Sequence, residues 1–276
     1  MIKQTVVAGS FYPNDETELL KIFDNYFNQI NIENFLKDFD IDSLVGVIVP
    51  HAGYIYSGRT AAYAYKLMQN KDFESVVIIA PSHYSGFFDF SIGDYTQYET
   101  PLGNLNVNQD IVKKLLTYDK FCFSELAEKR EHSLEIQLPF LKYIKPNVNI
   151  IPIIVGNQNY ENSLYLSKVL NDVLDDKTMI IVSSDLSHFY KADVAEKLDR
   201  KFIELVQLKQ VKDLWDNLIN HNTEACGFGG VLTLLEFVRL RYNDFIVEKL
   251  NYTHSGYISN DFYQVVGYYS GAFFIR

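Results

Sequence analysis

Four short runs of mostly β-branched, apolar residues place the strongest constraint on how this chain can fold. Runs of this kind are typical of strands that are buried on both faces, as in a parallel sheet. Segments with a helical spacing of apolar residues separate these runs, so the sequence alternates between strand and helix. The predicted strands cover residues 45–49, 75–80, 148–155 and 179–183, and the predicted helices cover residues 58–69, 107–116, 133–144, 164–174, 191–208 and 228–241.

Three other segments complete the predicted architecture. Residues 87–106 lack helical periodicity and contain a Thr-Pro-Leu-Gly turn, which predicts a hairpin beside the main sheet. Residues 245–252 and 263–275 are predicted to be strands, and Pro139 should kink or shorten its helix. No linker or charge run divides the chain. We therefore predict an α/β fold with one domain over residues 1–276, a mostly parallel central sheet and helices on both faces.

Charge and hydropathy exclude several classes of partner. The chain has 276 residues with 25 basic and 35 acidic side chains, a formal net charge of −10. This balance, with no basic run, disfavours binding to nucleic acid or to an anionic membrane surface. No apolar stretch approaches the ~18 residues that a spanning helix needs, and the first residues lack the apolar core of a secretory signal. We expect a cytoplasmic protein, and two cysteines do not make a disulfide framework.

Side chains that can bind a metal ion or transfer a proton follow three of the predicted strands. The first two strands are each followed by a proline and then a histidine, as Pro50-His51 and as Pro81-Ser82-His83. The fourth strand runs into Asp185 and His188. Ligands of open α/β sheets bind beyond the carboxyl ends of the strands, so these side chains should share one cleft if the strands are parallel neighbours. Each residue taken alone also has a structural interpretation, such as a hydrogen-bonded loop histidine or, for Asp185, a helix cap.

Two further residues could take part in the same chemistry. His132 precedes a core-facing helix, and Cys226 lies in a glycine-rich turn before the helix at 228–241. A helix N-terminus favours the thiolate, and imidazole with thiolate suits iron, copper or zinc better than magnesium or calcium. Taken alone, Cys226 would be interpreted first as a small buried hydrophobe, and Cys122 fits that interpretation best.

The remaining histidines indicate no function, and several common functional motifs are absent. His221 and His254 are predicted to lie in turns. The chain contains neither a phosphate-binding G-x-x-x-x-G-K-[ST] loop nor a G-x-G-x-x-G motif after its first strand, and it lacks a G-x-S-x-G elbow. These absences argue against nucleotide binding and against a serine hydrolase.

The motifs together resemble the Memo family. The resemblance runs in order from Val7 to Cys226, and the segment Val265-Val266-Gly267-Tyr268 also fits. The matching blocks are Val-Ala-Gly-Ser-Phe-Tyr-Pro at 7–13, Val-Pro-His-Ala-Gly-Tyr-Ile-Tyr-Ser-Gly at 49–58, Pro-Ser-His at 81–83, Glu-Thr-Pro-Leu-Gly at 99–103, Glu-His-Ser-Leu-Glu at 131–135 and Ser-Ser-Asp-Leu-Ser-His at 183–188.

This resemblance implies a fold, a ligand set and a partner. It implies a single α/β domain related to the class III extradiol dioxygenases, which are non-haem iron enzymes. The implied metal ligands are His51, His83 and Cys226, and the implied neighbours of the metal are His132, Asp185 and His188. A thiolate would stand where the ring-cleaving relatives use a carboxylate, and thiolate shifts preference toward copper, zinc or a more oxidisable iron. By the same analogy, the protein could associate with a radical-SAM companion.

Three functions remain open at the level of sequence. The leading hypothesis is an oxidoreductase with Fe(II), or with copper, in which His188 is a general base toward a substrate hydroxyl. In this hypothesis Asp185 fixes the tautomer of His188 or accepts a hydrogen bond from a ligand, and His132 hydrogen-bonds the oxidant or donates a proton. The second is a zinc hydrolase with the same ligands. The third is a non-enzymatic module that binds a small molecule or a peptide in the metal cleft.

Overall fold

The computed structural model describes residues 1–33 and 35–276 and contains a large mixed sheet flanked by helices. The strands are β1 Ile2–Lys3, β2 Leu44–Val49, β3 Ser75–Pro81, β4 Phe90–Ser91, β5 Gln97–Tyr98, β6 Leu105–Val107, β7 Phe121–Cys122, β8 Asn149–Val155, β9 Thr178–Ser183, β10 His188–Tyr190, β11 Phe245–His254 and β12 Val265–Ile275. The α-helices are α1 Glu16–Gln29, α2 Glu33–Leu36, α3 Arg59–Met68, α4 Gln109–Leu115, α5 Glu125–Lys129, α6 Leu138–Ile144, α7 Tyr160–Val173, α8 Ala192–Gln207, α9 Val211–Ile219, α10 Phe228–Tyr242 and α11 Gly256–Ser259.

Five parallel strands form the centre of the sheet, in the order β6-β8-β3-β9-β2. β12 extends this sheet by pairing antiparallel to β2, and both β11 and β10 pair with β12. β5 pairs antiparallel to β6, which is the hairpin predicted within residues 87–106. The predicted α/β class with a mostly parallel sheet is therefore confirmed.

One continuous hydrophobic core holds the helices on both faces of the sheet. α3 packs on β2 and β12 and is itself covered by α1 and α6. α10 packs on β2, β3 and β9, and α7 and α9 cover α10. The side chains of β2, β3 and β9 are buried along almost their whole length, as their β-branched sequences predict.

Pro152 lies in β8, a strand with partners on both sides. β3 pairs with β8 along its whole length, but on the other side β6 reaches only Asn149 and Ile150, and β4 begins at Ile154. The backbone of Ile150 bonds on the β6 side, and alternate residues of a strand face the same side. Pro152 therefore faces the gap between β6 and β4, where its missing N–H leaves no partner unpaired.

Several local predictions need correction. The segment that was predicted as one helix at 133–144 is a 3₁₀ turn at Glu135–Gln137 followed by α6, in which Pro139 occupies the first turn, where a proline is tolerated. The helices α1 and α9 and the short helices α2, α5 and α11 were not predicted. His254 ends β11 and is buried instead of lying in a turn, whereas His221 is exposed as expected. Cys122 is exposed, so its interpretation as a buried hydrophobe is wrong.

No helix in the described residues combines the length and the apolar character needed to cross a membrane.

The close approach of α10 to the sheet depends on a glycine. Gly227, immediately before α10, lets this helix approach the end of β9. A Cβ atom at Gly227 would lie 2.3 Å from the carbonyl oxygen of Ser183.

We predict that Gly227→Ala destabilises the fold, because the added methyl group would clash with the main-chain carbonyl of Ser183, which cannot shift without a cost in free energy. The expected loss in the free energy of unfolding is about 1–3 kcal/mol, measured by chemical denaturation. Gly86→Ala is the control, because a Cβ atom there would have its nearest contact at 3.7 Å. Equal stability of the two variants would contradict this account of the α10 approach.

Candidate metal centre

The candidate site lies at the carboxyl edge of three adjacent strands. β9 is paired with β2 on one side and with β3 on the other, and the three strands are parallel. His51, His83 and Asp185 follow the ends of β2, β3 and β9, respectively. The topology thus brings together the residues that the sequence predicted to converge.

Three donor atoms face one another across this edge. One ligand atom from each of His51, His83 and Cys226 lies within 4.8 Å of the other two. The Sγ atom of Cys226 is 3.1 Å from Nε2 of His51. Metal–nitrogen bonds of ~2.0–2.1 Å and metal–sulfur bonds of ~2.3 Å fit within such a cluster, so the residues suit one shared ion.

The tautomer of His51 follows from the hydrogen bonds of Ser183. The Ser183 hydroxyl donates its only proton to the carbonyl oxygen of Ser133 at 2.6 Å. Gln137 Nε2 also donates to Ser183 Oγ, and it is identified as the nitrogen because it donates to the Pro50 carbonyl as well. His51 Nδ1 lies 2.9 Å from the same oxygen and therefore has to be the donor. His51 Nε2 is consequently left with a lone pair facing Cys226.

Glu131 fixes His83 in the same way. His83 Nδ1 lies 2.9 Å from Glu131 Oε1, and the main-chain N–H groups of His83 and Ser133 also donate to this carboxylate. Burial acts to raise the pKa of Glu131, but these hydrogen bonds and the nearby His83 outweigh it and lower the pKa. Glu131 is therefore an ionised acceptor, and the lone pair of His83 lies on Nε2. An outer carboxylate of this kind orients a metal-binding histidine.

A second group of possible ligands consists of His83, Glu131 and His132. It shares His83 with the first group, but Glu131 already accepts three hydrogen bonds there. Glu131 is thus an outer partner of the first group. Glu131, Ser183 and Gln137 were not among the predicted site residues, because glutamate, serine and glutamine beside a core segment carry no signal of their own.

His51 and His132 are neutral at pH 7. Burial lowers the pKa of His51 well below its usual value, and the neighbouring His83 and His132 add to the effect. Burial also lowers the pKa of His132 to about 4, although Glu131 opposes this. Neutral imidazole is the form that binds a metal ion.

The expectation that a helix N-terminus favours the Cys226 thiolate is wrong for the chain without a metal ion. Burial raises the pKa of the thiol, and the carboxylate of Asp185 raises it further. The Asp185 N–H, 3.2 Å from Sγ, acts in the opposite direction but is outweighed. A bound cation would reverse this balance, since coordination removes the thiol proton.

Asp185 contacts His51 rather than His188. Its Oδ1 atom accepts a hydrogen bond of 2.7 Å from the His51 main-chain N–H. Burial raises the pKa of Asp185 to about 6, and the bond from His51 opposes the shift. No hydrogen bond joins Asp185 to the His188 ring in the described part of the chain. Asp185 therefore holds the loop that presents His51.

His188 and His132 approach the cluster from different elements. His188 begins β10 and lines the same pocket as Cys226, and the preceding Ser187 N–H donates to the buried carboxylate of Asp199. The His132 ring lies 4.6 Å from the His83 ring and 5.5 Å from the His51 ring, centroid to centroid. His83 keeps 30% of its side chain exposed, so the cluster is open to solvent on that side.

Known proteins match this chain over almost its whole length. The family model described as "Memo-like protein" matches residues 3–272. A MEMO1 family protein of Methanobrevibacter smithii is 35% identical over 285 residues, covering 99% of this chain and 100% of that protein. Proteins of the same description from Thermoplasma volcanium and Aquifex aeolicus are 32% and 33% identical, and each alignment covers 97% of the relative and at least 97% of this chain.

We predict that Glu131→Gln weakens metal binding by about 10–100-fold, because the His83 ring loses the ionised acceptor that orients it. Metal affinity is measured by competition with a chelator of known affinity. Glu128→Gln is a matched control, since Glu128 is also buried in the same segment but makes no hydrogen bond to His83. The role of Glu131 is contradicted if both variants bind the ion as tightly as the unchanged chain.

Proposed function

The chain belongs to the Memo family, and we propose that it is a metal-dependent oxidoreductase whose ion, Fe(II) or copper, is held by His51, His83 and Cys226. The observation that carries the proposal is that one donor atom from each of His51, His83 and Cys226 lies within 4.8 Å of the other two, while Nδ1 of each imidazole is held by a hydrogen bond. Ser183 dictates the tautomer of one imidazole and Glu131 that of the other. Histidines that bind no ligand would not need hydrogen bonds that fix their tautomer and their orientation.

The number of ligands supports catalysis rather than a structural role. Structural zinc sites usually have four protein ligands, whereas catalytic sites have three and keep a position open. Three donors converge here, and the partial exposure of His83 gives small molecules access to them.

The donor types support redox chemistry. A thiolate donates more charge than a carboxylate and suits copper and readily oxidised iron. The bound ion would supply electron transfer to a small oxidant such as O₂. Zinc also accepts these donors, so the identity of the ion is the decisive measurement.

The surrounding side chains have separate tasks in this proposal. His188, next to Cys226 in the same pocket, acts as the general base toward a substrate hydroxyl. His132 is neutral, so it positions a small polar ligand by hydrogen bonding and does not contribute a positive charge. Asp185 keeps the His51 loop in place through the main-chain hydrogen bond, which replaces the tautomer-fixing role that the sequence suggested for it.

We expect protein purified anaerobically without added metal to contain about one iron or copper ion per chain, as a single three-ligand site requires. His51→Ala and Cys226→Ser should lose most of this ion, because each removes a donor atom. Cys122→Ser is the matched control, since Cys122 is exposed and lies outside the cluster. Elemental analysis gives the stoichiometry, and an oxygen electrode follows O₂ uptake during Fe(II) titration.

Each alternative has its own outcome in this experiment. Stoichiometric zinc with no O₂ uptake would replace the oxidoreductase with a hydrolase. A stable fold that takes up no metal would leave only a binding module. Unchanged metal content in both His51→Ala and Cys226→Ser would overturn the ligand assignment itself.

A further inference from the structure

We propose that the pocket beside Cys226 binds the organic substrate, and that this substrate has an apolar body of about one ring and is neutral or carries a single positive charge. The proposal rests on the proposed function in one respect, namely that the reacting end of the molecule reaches the metal ligands. The character of its body and its charge follow from the pocket alone.

The pocket has the size and the apolar walls of a small-molecule site. Its volume is about 530 Å³, within the range of ~300–1,000 Å³ that is usual for such sites. α9 contributes one wall, and Leu186, the turn before α10 and the start of α10 contribute others. The apolar lining consists of Leu186, Trp215, Leu218, Ile219, Ala225 and Phe228.

The position of the pocket ties it to the metal ligands. Cys226 and His188 both line it. Gln158, which also lines the pocket, holds the Cys226 turn, because its Nε2 donates to the Cys226 carbonyl and its Oε1 accepts from the Gly229 N–H. A molecule seated against the apolar walls can therefore place a polar end near the Cys226 thiol and the His188 imidazole, and the other polar residues of the lining are Gln158, His221, Thr223 and Glu224.

The charge of the lining selects the ligand. Glu224 is the acidic side chain among the described lining residues, His188 and His221 are the basic ones, and neither lysine nor arginine lines the pocket. The Tyr190 hydroxyl donates to Oε1 of Glu224 and so fixes the carboxylate. An anionic ligand would meet this carboxylate without a compensating lysine or arginine, whereas an ammonium group would be attracted to it.

The aromatic side chains favour the same ligand. The rings of Trp215 and Phe228 are tilted by 48° with centroids 6.1 Å apart. Both rings line the pocket. Flat apolar molecules pack well against such rings, and a cation is also attracted to the face of an aromatic ring.

Three small probes of similar shape test the proposal on the full chain after the metal has been removed with a chelator. These are 2-phenylethylamine, 2-phenylethanol and 3-phenylpropionate, which are cationic, neutral and anionic at pH 7. Trp215 is the single tryptophan of the chain, so its fluorescence reports on this pocket. We expect the amine and the alcohol to bind, and the acid to bind at least about three- to fivefold more weakly than the alcohol, as expected for one partly exposed charge.

Glu224→Gln should remove this selectivity. The ratio of the dissociation constants of the acid and the amine should fall by about threefold or more, while the alcohol binds as before. Glu16→Gln is the charge-matched control, since Glu16 is exposed in the first turn of α1, and it should leave the ratio unchanged.

Two results would overturn the proposal. One is binding of the acid as tight as that of the amine in the unchanged chain, and the other is no fluorescence response to any probe. Because the probes are used without metal, a failure of the metal site leaves this measurement intact. Conversely, a chain that binds metal but does not discriminate among the probes loses only the pocket assignment.

Discussion

The candidate site depends on one buried hydroxyl group, that of Ser183 at the end of β9. This hydroxyl has a single proton and three hydrogen-bonding neighbours, and the roles of two of these neighbours determine that the third must be a donor. The proton goes to the Ser133 carbonyl, the amide of Gln137 donates to the oxygen, and His51 must donate as well. Tyr65 completes the chain of contacts by donating to Gln137 Oε1 at 2.7 Å. A side chain in the core thereby determines which nitrogen of His51 faces the metal position.

The parallel arrangement of β2, β9 and β3 makes this control possible. Since β9 lies between the other two strands, Ser183 is close both to the loop after β2 and to the segment that contains Ser133. Ser133 in turn donates to the Pro81 carbonyl at the end of β3, while Glu131, two residues earlier, orients His83. Two candidate ligands, which follow different strands, are therefore positioned by one short segment that runs across the edge of the sheet.

Much of this arrangement could be predicted from the sequence, because its signals are local. β-branched runs identify buried strands, and the side chains after them lie where ligands bind in an α/β sheet. The metal candidates His51, His83 and Cys226 came from this reasoning together with the family resemblance. The remainder depends on contacts between distant segments. The three hydrogen bonds of Glu131 and the choice of Asp185 between His51 and His188 are set by packing, which no spacing in the sequence reveals.

The most direct test of the central claim is X-ray absorption at the edge of the bound metal, on the unchanged chain and on Cys226→Ser. We predict one sulfur scatterer in the first coordination shell, together with the outer-shell features of two imidazole rings. The sulfur should disappear in Cys226→Ser. A first shell that contains only nitrogen and oxygen in the unchanged chain would contradict the claim that Cys226, His51 and His83 bind one ion.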